Sequence, residues 1–139
     1  MILLDTSGLL AALVADQRRH QQAREALERS GPPFVLSPFV LAELGYLLAR
    51  ESGTAAELAL LEEVATGAYD LVPFLAEDIS DATAVIARYR DLGIGLADAS
   101  IVTLAGRFRT DCVLTLDERH FRALRTPRGR PFTILPADS

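Results

Sequence analysis

The segment Met1-Ile2-Leu3-Leu4-Asp5-Thr6-Ser7 indicates the fold class. Its four leading apolar residues are too few for an amphipathic helix and are typical of a buried parallel strand. Asp5, Thr6 and Ser7 are all residue types that cap helix N-termini, so we expect a helix to begin there and run through Leu13. A strand followed at once by a helix is the repeating unit of an α/β fold.

The same alternation continues along the chain. Short apolar runs predict further strands at residues 34–36, 70–73, 112–115 and 132–135. Helical spacing and capping residues, including a capping box formed by Thr54 and Glu57, predict helices at 17–29, 38–51, 54–64, 76–90, 96–108 and 117–124. We therefore expect one α/β domain over residues 1–139, with helices on both faces of a central, mostly parallel sheet of about four to five strands.

Composition narrows the function classes. The chain has 139 residues, half of them apolar, which is enough for one domain with a sizeable core. All 14 basic residues are arginine, and the missing lysine excludes a P-loop and Schiff-base chemistry. The single Cys112 cannot form an internal disulfide and suits a reducing cytoplasm. Residues 1–15 lack the basic start of a signal peptide, and no stretch reaches the ~20 apolar residues of a membrane span.

Charge is distributed unevenly. Residues 1–99 carry seven arginines against fifteen acids, whereas residues 100–139 carry seven arginines against four acids. The last third is therefore basic in a chain whose net charge is −5. Arg119 and Arg122 lie close in sequence to Asp117 and are candidate phosphate contacts, although a solvated surface would look the same.

Four acids stand next to apolar segments: Asp5 after the first strand, Glu43 within a helix, Asp98 near a helix start and Asp117 after the fourth strand. Sites in parallel α/β folds collect beyond the carboxyl ends of the strands, which is where these acids are expected to meet. Clustered, partly buried carboxylates repel one another unless a cation joins them. The pattern predicts a metal site with Asp5, Asp98 and Asp117 as ligands and all four acids as catalytic residues.

Each acid also has an ordinary interpretation. Asp5 and Asp117 could be helix N-caps, and Asp98 could be a first-turn acid that the helix dipole favours. Glu43 has apolar neighbours three and four positions away, so a structural role would require a buried arginine partner. Nearby hydroxyls could orient the carboxylates or could equally be caps; they belong to Thr6, Ser7 and Thr115.

A site with oxygen ligands and no cysteine or histidine pair favours Mg²⁺ or Mn²⁺ over zinc. Such ions commonly join carboxylates to substrate phosphates, so phosphodiester cleavage by metal-activated water is the predicted chemistry.

The acids lie in four motifs: Met1-Ile2-Leu3-Leu4-Asp5-Thr6-Ser7, Ala42-Glu43, Leu96-Ala97-Asp98-Ala99-Ser100-Ile101 and Leu114-Thr115-Leu116-Asp117-Glu118-Arg119-His120-Phe121. These motifs resemble those of the PIN-domain nucleases, and among these the VapC-type toxins of toxin–antitoxin pairs. The resemblance spans the chain in order and covers all four acids. It implies a PIN-like α/β/α sandwich, an Mg²⁺- or Mn²⁺-dependent endoribonuclease acting on RNA, a homodimer and a protein antitoxin that inhibits it.

Two alternatives remain at this point. The metal site could serve DNA or a small phosphorylated metabolite instead of RNA. The chain could also be a non-catalytic binding or regulatory module whose acids form ion pairs with arginine.

Overall fold

A computed structural model describes all residues, 1–139. Its centre is a sheet of five strands in the order β3-β2-β1-β4-β5, and every neighbouring pair is parallel. The strands are β1 (Ile2–Leu4), β2 (Phe34–Leu36), β3 (Asp70–Leu71), β4 (Cys112–Leu114) and β5 (Thr133–Leu135). The predicted parallel α/β sheet is confirmed.

Seven α-helices surround the sheet. They are α1 (Thr6–Leu13), α2 (His20–Ser30), α3 (Pro38–Ser52), α4 (Thr54–Ala65), α5 (Ala76–Arg88), α6 (Leu96–Phe108) and α7 (Glu118–Ala123), with a short 3₁₀ turn at Arg90–Leu92 between α5 and α6. A cluster of 32 buried apolar residues forms the core, and β1 is fully enclosed in it. No helix is both long and apolar enough to cross a bilayer.

Three local predictions are wrong. The second helix begins at His20, because Arg19 before it adopts a left-handed conformation (φ 63°) that an α-helix cannot contain. The capping box does not form: Thr54 is already the first helical residue, Gly53 occupies the cap, and no side chain caps the helix. The third strand ends at Leu71, before Pro73.

The strand order explains why a site forms at one edge. β1 lies in the middle of the sheet, with β2 on one side and β4 on the other. After β1 the chain crosses towards β2, whereas after β4 it crosses towards β5 on the opposite side. The two connections therefore diverge, which opens a crevice beside β1. Asp5 follows β1 directly, and Asp117 follows shortly after β4.

A buried serine pair fixes the start of α6 near this crevice. Ser37, the N-cap of α3, lies 2.7 Å from Ser100 between the two hydroxyl oxygens, and both residues are almost fully buried. Ser100 also donates to the carbonyl oxygen of Ala97. The pair ties α6 to the end of β2, and Asp98 in the first turn of α6 is placed accordingly.

Candidate active site

The four predicted acids line one pocket. Asp5, Glu43, Asp98 and Asp117 border a cavity of about 350 Å³ at the carboxyl edge of the sheet. Thr6, Ser7 and His120 border it as well. The structure thus brings together residues that are more than a hundred positions apart in the chain.

Asp5 is the buried acid of this pocket, with 5% of its surface exposed. Its Oδ2 accepts hydrogen bonds from Thr115 Oγ1 (2.6 Å) and Ser7 Oγ (3.0 Å). Burial raises the pKa of Asp5, and these hydrogen bonds partly oppose the rise because they favour the ionised carboxylate. Although Asp5 occupies the N-cap position of α1, its side chain makes no cap hydrogen bond. Helix capping therefore does not account for this carboxylate.

Glu43 differs from the sequence expectation. Glu43 is exposed to solvent, so its apolar neighbours along α3 do not bury it. Its Oε1 instead accepts a 2.8 Å hydrogen bond from Thr6 Oγ1, which turns the carboxylate towards the pocket. Glu43 therefore lies on the exposed side of α3 and still borders the pocket, and sequence spacing alone could not show this.

The acid–base equilibrium of Asp98 is strongly perturbed. Burial is the largest cause, the negative charge of Asp5 is the next, and together with smaller contributions they raise the pKa of Asp98 to about 7. His120 acts in the opposite direction. Burial and the nearby negative charge thus disfavour the ionised form of Asp98, and perturbed groups of this kind concentrate at functional sites.

Asp117 serves two purposes. As N-cap of α7 its Oδ1 accepts a hydrogen bond from the backbone N–H of His120 (3.1 Å), which confirms the ordinary interpretation of this acid. Its other oxygen, Oδ2, lies 2.7 Å from His120 Nδ1. The cap therefore fixes the carboxylate at the pocket edge and leaves one oxygen directed to the ring.

His120 was missed as a site residue from sequence. Its Nδ1 lies 2.7 Å from Asp117 Oδ2 and 3.5 Å from Asp98 Oδ2. This nitrogen atom is buried, yet it makes no hydrogen bond of acceptable geometry. One ligand atom from each of these three residues falls within 4.8 Å of the others, a spacing that suits a shared cation. The i, i+3 spacing from Asp117 was the sequence signal for this contact.

None of the four acids is paired with arginine. The ion pairs that involve Asp98 and Asp117 are with His120 alone, and Asp5 and Glu43 form no ion pair. The interpretation as structural acid–arginine pairs is therefore wrong for this pocket. Uncompensated carboxylates that face one cavity are consistent with a divalent cation site.

The two candidate phosphate contacts differ. Arg119 is exposed and makes no ion pair. Arg122 is held by Asp138 (2.6 Å) and Glu118 (3.0 Å) through Nη2, and hydrogen bonds to Asp138 and then to Glu118 raise the pKa of its guanidinium. Because two carboxylates already engage Arg122, we do not retain it as a phosphate contact.

Comparison with known proteins agrees with this architecture. The PIN domain family model matches residues 2–126, and the chain belongs to the PIN domain family. It is homologous to Ribonuclease VapC26 of Mycobacterium tuberculosis (strain ATCC 25618 / H37Rv), with 45% identity over 135 residues that cover 97% of this chain and 100% of that protein.

Solved structures share the fold. VapC20 of Mycobacterium tuberculosis, a toxin that cleaves the sarcin–ricin loop, superposes with a TM-score of 0.77 at 24% identity over 85% of this chain and 91% of that one. The DNA-bound VapBC of Salmonella typhimurium gives a TM-score of 0.70 at 20% identity, covering 96% and 98% of the two chains. A toxin–antitoxin complex from Klebsiella pneumoniae gives 0.67 at 19% identity, covering 89% and 92%.

Proposed function

We propose that this protein is a divalent-metal-dependent endoribonuclease and the toxin of a toxin–antitoxin pair, with residues 1–139 acting as a single nuclease domain. The observation that carries the proposal is the pocket in which Asp5, Glu43, Asp98 and Asp117 converge without an arginine partner. The 45% identity to Ribonuclease VapC26 supports RNA as the substrate.

The residues of the pocket fit Mg²⁺ or Mn²⁺. Asp5, Asp98 and Asp117 supply carboxylate oxygens, which these ions prefer, and His120 adds a nitrogen that Mn²⁺ also accepts. We propose the three aspartates as ligands and Glu43 as the acid that orients water at the pocket mouth. When bound, such an ion supplies an activated water and offsets negative charge on the phosphate.

The protein's own groups prepare the site. Thr115 and Ser7 hold Asp5 through Oδ2, and Thr6 holds Glu43 through Oε1. These hydrogen bonds fix carboxylates that would otherwise turn away from one another. His120 Nδ1 lies close to both Asp98 and Asp117, where it would add a nitrogen to the ligand set of the ion.

The proposals about protein partners rest on exposed apolar side chains and on the structural relatives. We propose that a protein antitoxin inhibits the enzyme and that the enzyme forms a homodimer in the cytoplasm. Structural neighbours include toxin–antitoxin complexes. On α3 and α4, Tyr46, Leu58 and Leu61 are exposed, whereas Leu44, Leu48 and Leu60 belong to the core. The exposed side chains provide apolar area for such contacts.

RNA cleavage in Mn²⁺ tests the proposal. We expect purified protein to cut RNA in Mn²⁺ or Mg²⁺, to stop when a chelator is added, and to lose activity in Asp98→Asn. Asp16→Asn, which changes an exposed acid outside the pocket, should cleave like the wild type. Cleavage that is equal in wild type and Asp98→Asn would refute the assignment.

Substrate class is tested in the same preparation. DNA and small phosphate esters are offered beside RNA under identical metal concentrations. Preferential hydrolysis of either one would replace the ribonuclease proposal with the corresponding alternative.

A further inference from the structure

A second, larger cavity lies outside the acidic pocket. It is a cleft of about 760 Å³ between α5, α6 and the segment after α7, and it shares no lining residue with the acidic pocket. Five arginines and two aspartates line it, a formal charge of +3 in a chain whose net charge is −5. The arginines are Arg88, Arg107, Arg109, Arg125 and Arg128.

The wall formed by residues 125–130 is held in place. Thr126 is buried, its N–H donates to the carbonyl oxygen of Arg130 (2.9 Å), and its Oγ1 accepts from the N–H of Arg130 (3.2 Å). On α6, Gly106 lets this segment approach closely, because a Cβ there would lie 2.7 Å from Pro127 Cγ. The arginines of this segment therefore project from a positioned loop.

Two of the five arginines have structural partners. Arg107 forms a 2.7 Å ion pair with Asp78 and donates to the carbonyl oxygen of Pro73. Arg125 donates to backbone carbonyls at the end of α7, including those of Arg122 and Leu124. These contacts fix both side chains. Only Arg107 has its positive charge neutralised, because its partner Asp78 is a carboxylate whereas the partners of Arg125 are carbonyl groups.

The other three have no carboxylate partner. Arg88 forms a cation–π pair with the ring of Tyr89 (5.5 Å) and no ion pair, and Arg109 and Arg128 are exposed and form no ion pair. Arg109 also adopts a left-handed conformation (φ 52°) at the C-cap of α6, a position that favours glycine or asparagine. Three unpaired guanidinium groups thus border one cleft.

The cleft is elongated and extends away from the catalytic acids. Asp78 and Arg88 line it from positions ten residues apart on α5, which corresponds to about 15 Å along a helix. On α6, Arg107 is nine residues beyond Asp98, or about 13 Å along the axis. Guanidinium groups match phosphate geometry, and a groove of spaced cations suits a backbone with repeating charges better than a single anion.

We propose that the cleft between α5, α6 and residues 125–130 binds the phosphate backbone of the RNA substrate at a point separate from the cut, through Arg88, Arg109 and Arg128. The inference rests on the proposed ribonuclease function and names a second contact for the same substrate. Its consequence is a preference for RNA long enough to reach from the acidic pocket into the cleft.

The test removes the three unpaired charges together. Arg88→Gln/Arg109→Gln/Arg128→Gln is compared with Arg18→Gln/Arg24→Gln/Arg29→Gln, which removes the same charge from exposed positions outside the cleft. Binding of a long fluorescent RNA is measured in the Asp98→Asn background by anisotropy at several salt concentrations. We expect the cleft variant to bind roughly tenfold more weakly, with a salt slope smaller by about 2, since each single-strand phosphate contact contributes ~0.7.

Cleavage separates this inference from the function on which it rests. With Asp98 intact, the cleft variant should cut a short oligonucleotide around the scissile bond as fast as the wild type, and should cut the long RNA with a raised KM. Absence of metal-dependent cleavage by the wild type would refute the ribonuclease proposal itself. Wild-type cleavage together with unchanged RNA affinity and salt slope in the cleft variant would overturn the second contact alone. Binding of polyglutamate to the same variants is measured in parallel. If the cleft variant lost affinity for polyglutamate but not for RNA, the proposal would be overturned and the cleft would be assigned to an acidic protein segment.

Discussion

Thr115 Oγ1 donates a 2.6 Å hydrogen bond to Oδ2 of Asp5, across 110 residues of sequence. The bond joins the carboxyl ends of β4 and β1. Thr115 Oγ1 also accepts a hydrogen bond from the backbone N–H of Asp117 (2.9 Å). One buried hydroxyl therefore positions two of the proposed catalytic acids.

Thr115→Val should destabilise the protein by about 2–3 kcal/mol, because it removes the shorter of the two hydrogen bonds to the buried Asp5 carboxylate and leaves the N–H of Asp117 without its acceptor. Denaturant unfolding measures this change. Thr103→Val is the matched control: Thr103 is buried too, but its hydroxyl bonds only to the carbonyl oxygen of Ala99 in its own helix. We expect the control to cost less than about 0.5 kcal/mol. Equal losses in the two variants would contradict the role given to Thr115.

Gly8→Ala should destabilise the protein by about 3 kcal/mol or more. A Cβ at this position of α1 would collide with the carbonyl oxygen of Leu114 and lie 2.7 Å from Thr115 N, and backbone of a central strand cannot give way. Gly95→Ala places its Cβ where no atom lies within 4 Å, so its cost should stay below about 1 kcal/mol. Chemical denaturation compares the two, and similar midpoints would show that α1 can move away from β4.

The stability of the metal-free protein should fall as pH rises from about 4 to about 7. The pKa of Asp98 is raised to about 7 in the folded state, mainly by burial, against an ordinary value of 3.8. Within that window the folded state keeps a proton that the unfolded chain has released, so stability decreases with pH. The contribution is roughly 2–4 kcal/mol.

Thermal scans in chelator at several pH values measure this dependence. Asp98→Asn should flatten the curve between pH 4 and 7, whereas Asp16→Asn should retain the wild-type slope. A wild-type curve that is no steeper than that of Asp98→Asn would be inconsistent with a perturbed Asp98.

His120→Ala should weaken Mn²⁺ binding by about tenfold, because its Nδ1 lies close to both Asp98 and Asp117. Isothermal calorimetry or metal-dependent thermal shifts measure the Kd. His20→Ala is the control, since His20 Nδ1 contacts the backbone oxygen of Ala11 and does not line the pocket. An unchanged Kd in His120→Ala would remove His120 from the site.

Arg119→Gln should reduce RNA affinity, whereas Arg122→Gln should leave it nearly unchanged. Arg119 is exposed, forms no ion pair and directly precedes the pocket residue His120, while Asp138 and Glu118 already engage Arg122. Anisotropy titrations with the same RNA compare the two variants. A larger loss in Arg122→Gln would restore the original assignment of that residue to phosphate binding.

The α/β class, the parallel sheet and the order of elements were all readable from local sequence. Apolar runs such as Ile2–Leu4 are followed directly by capping residues, and this local pattern reflects backbone physics within a few residues. Element ends were less predictable. The Thr54–Glu57 pattern satisfies the capping rule, yet Gly53, whose φ of 90° favours glycine, separates α3 from α4 and makes Thr54 the first helical residue.

Sequence by itself predicted which acids line the pocket, since Asp5, Asp98 and Asp117 stand at strand or helix ends that a parallel sheet gathers at one edge. Tertiary structure alone decided that Glu43 is exposed, that His120 reaches Asp98, that Arg122 is already paired and that a second arginine-lined cleft exists. The physical reason is the sequence separation of the interacting residues, because a cap or a strand end depends on neighbours a few residues away. Burial, ion pairing and cavities depend on which distant segments the strand order and helix packing bring into contact.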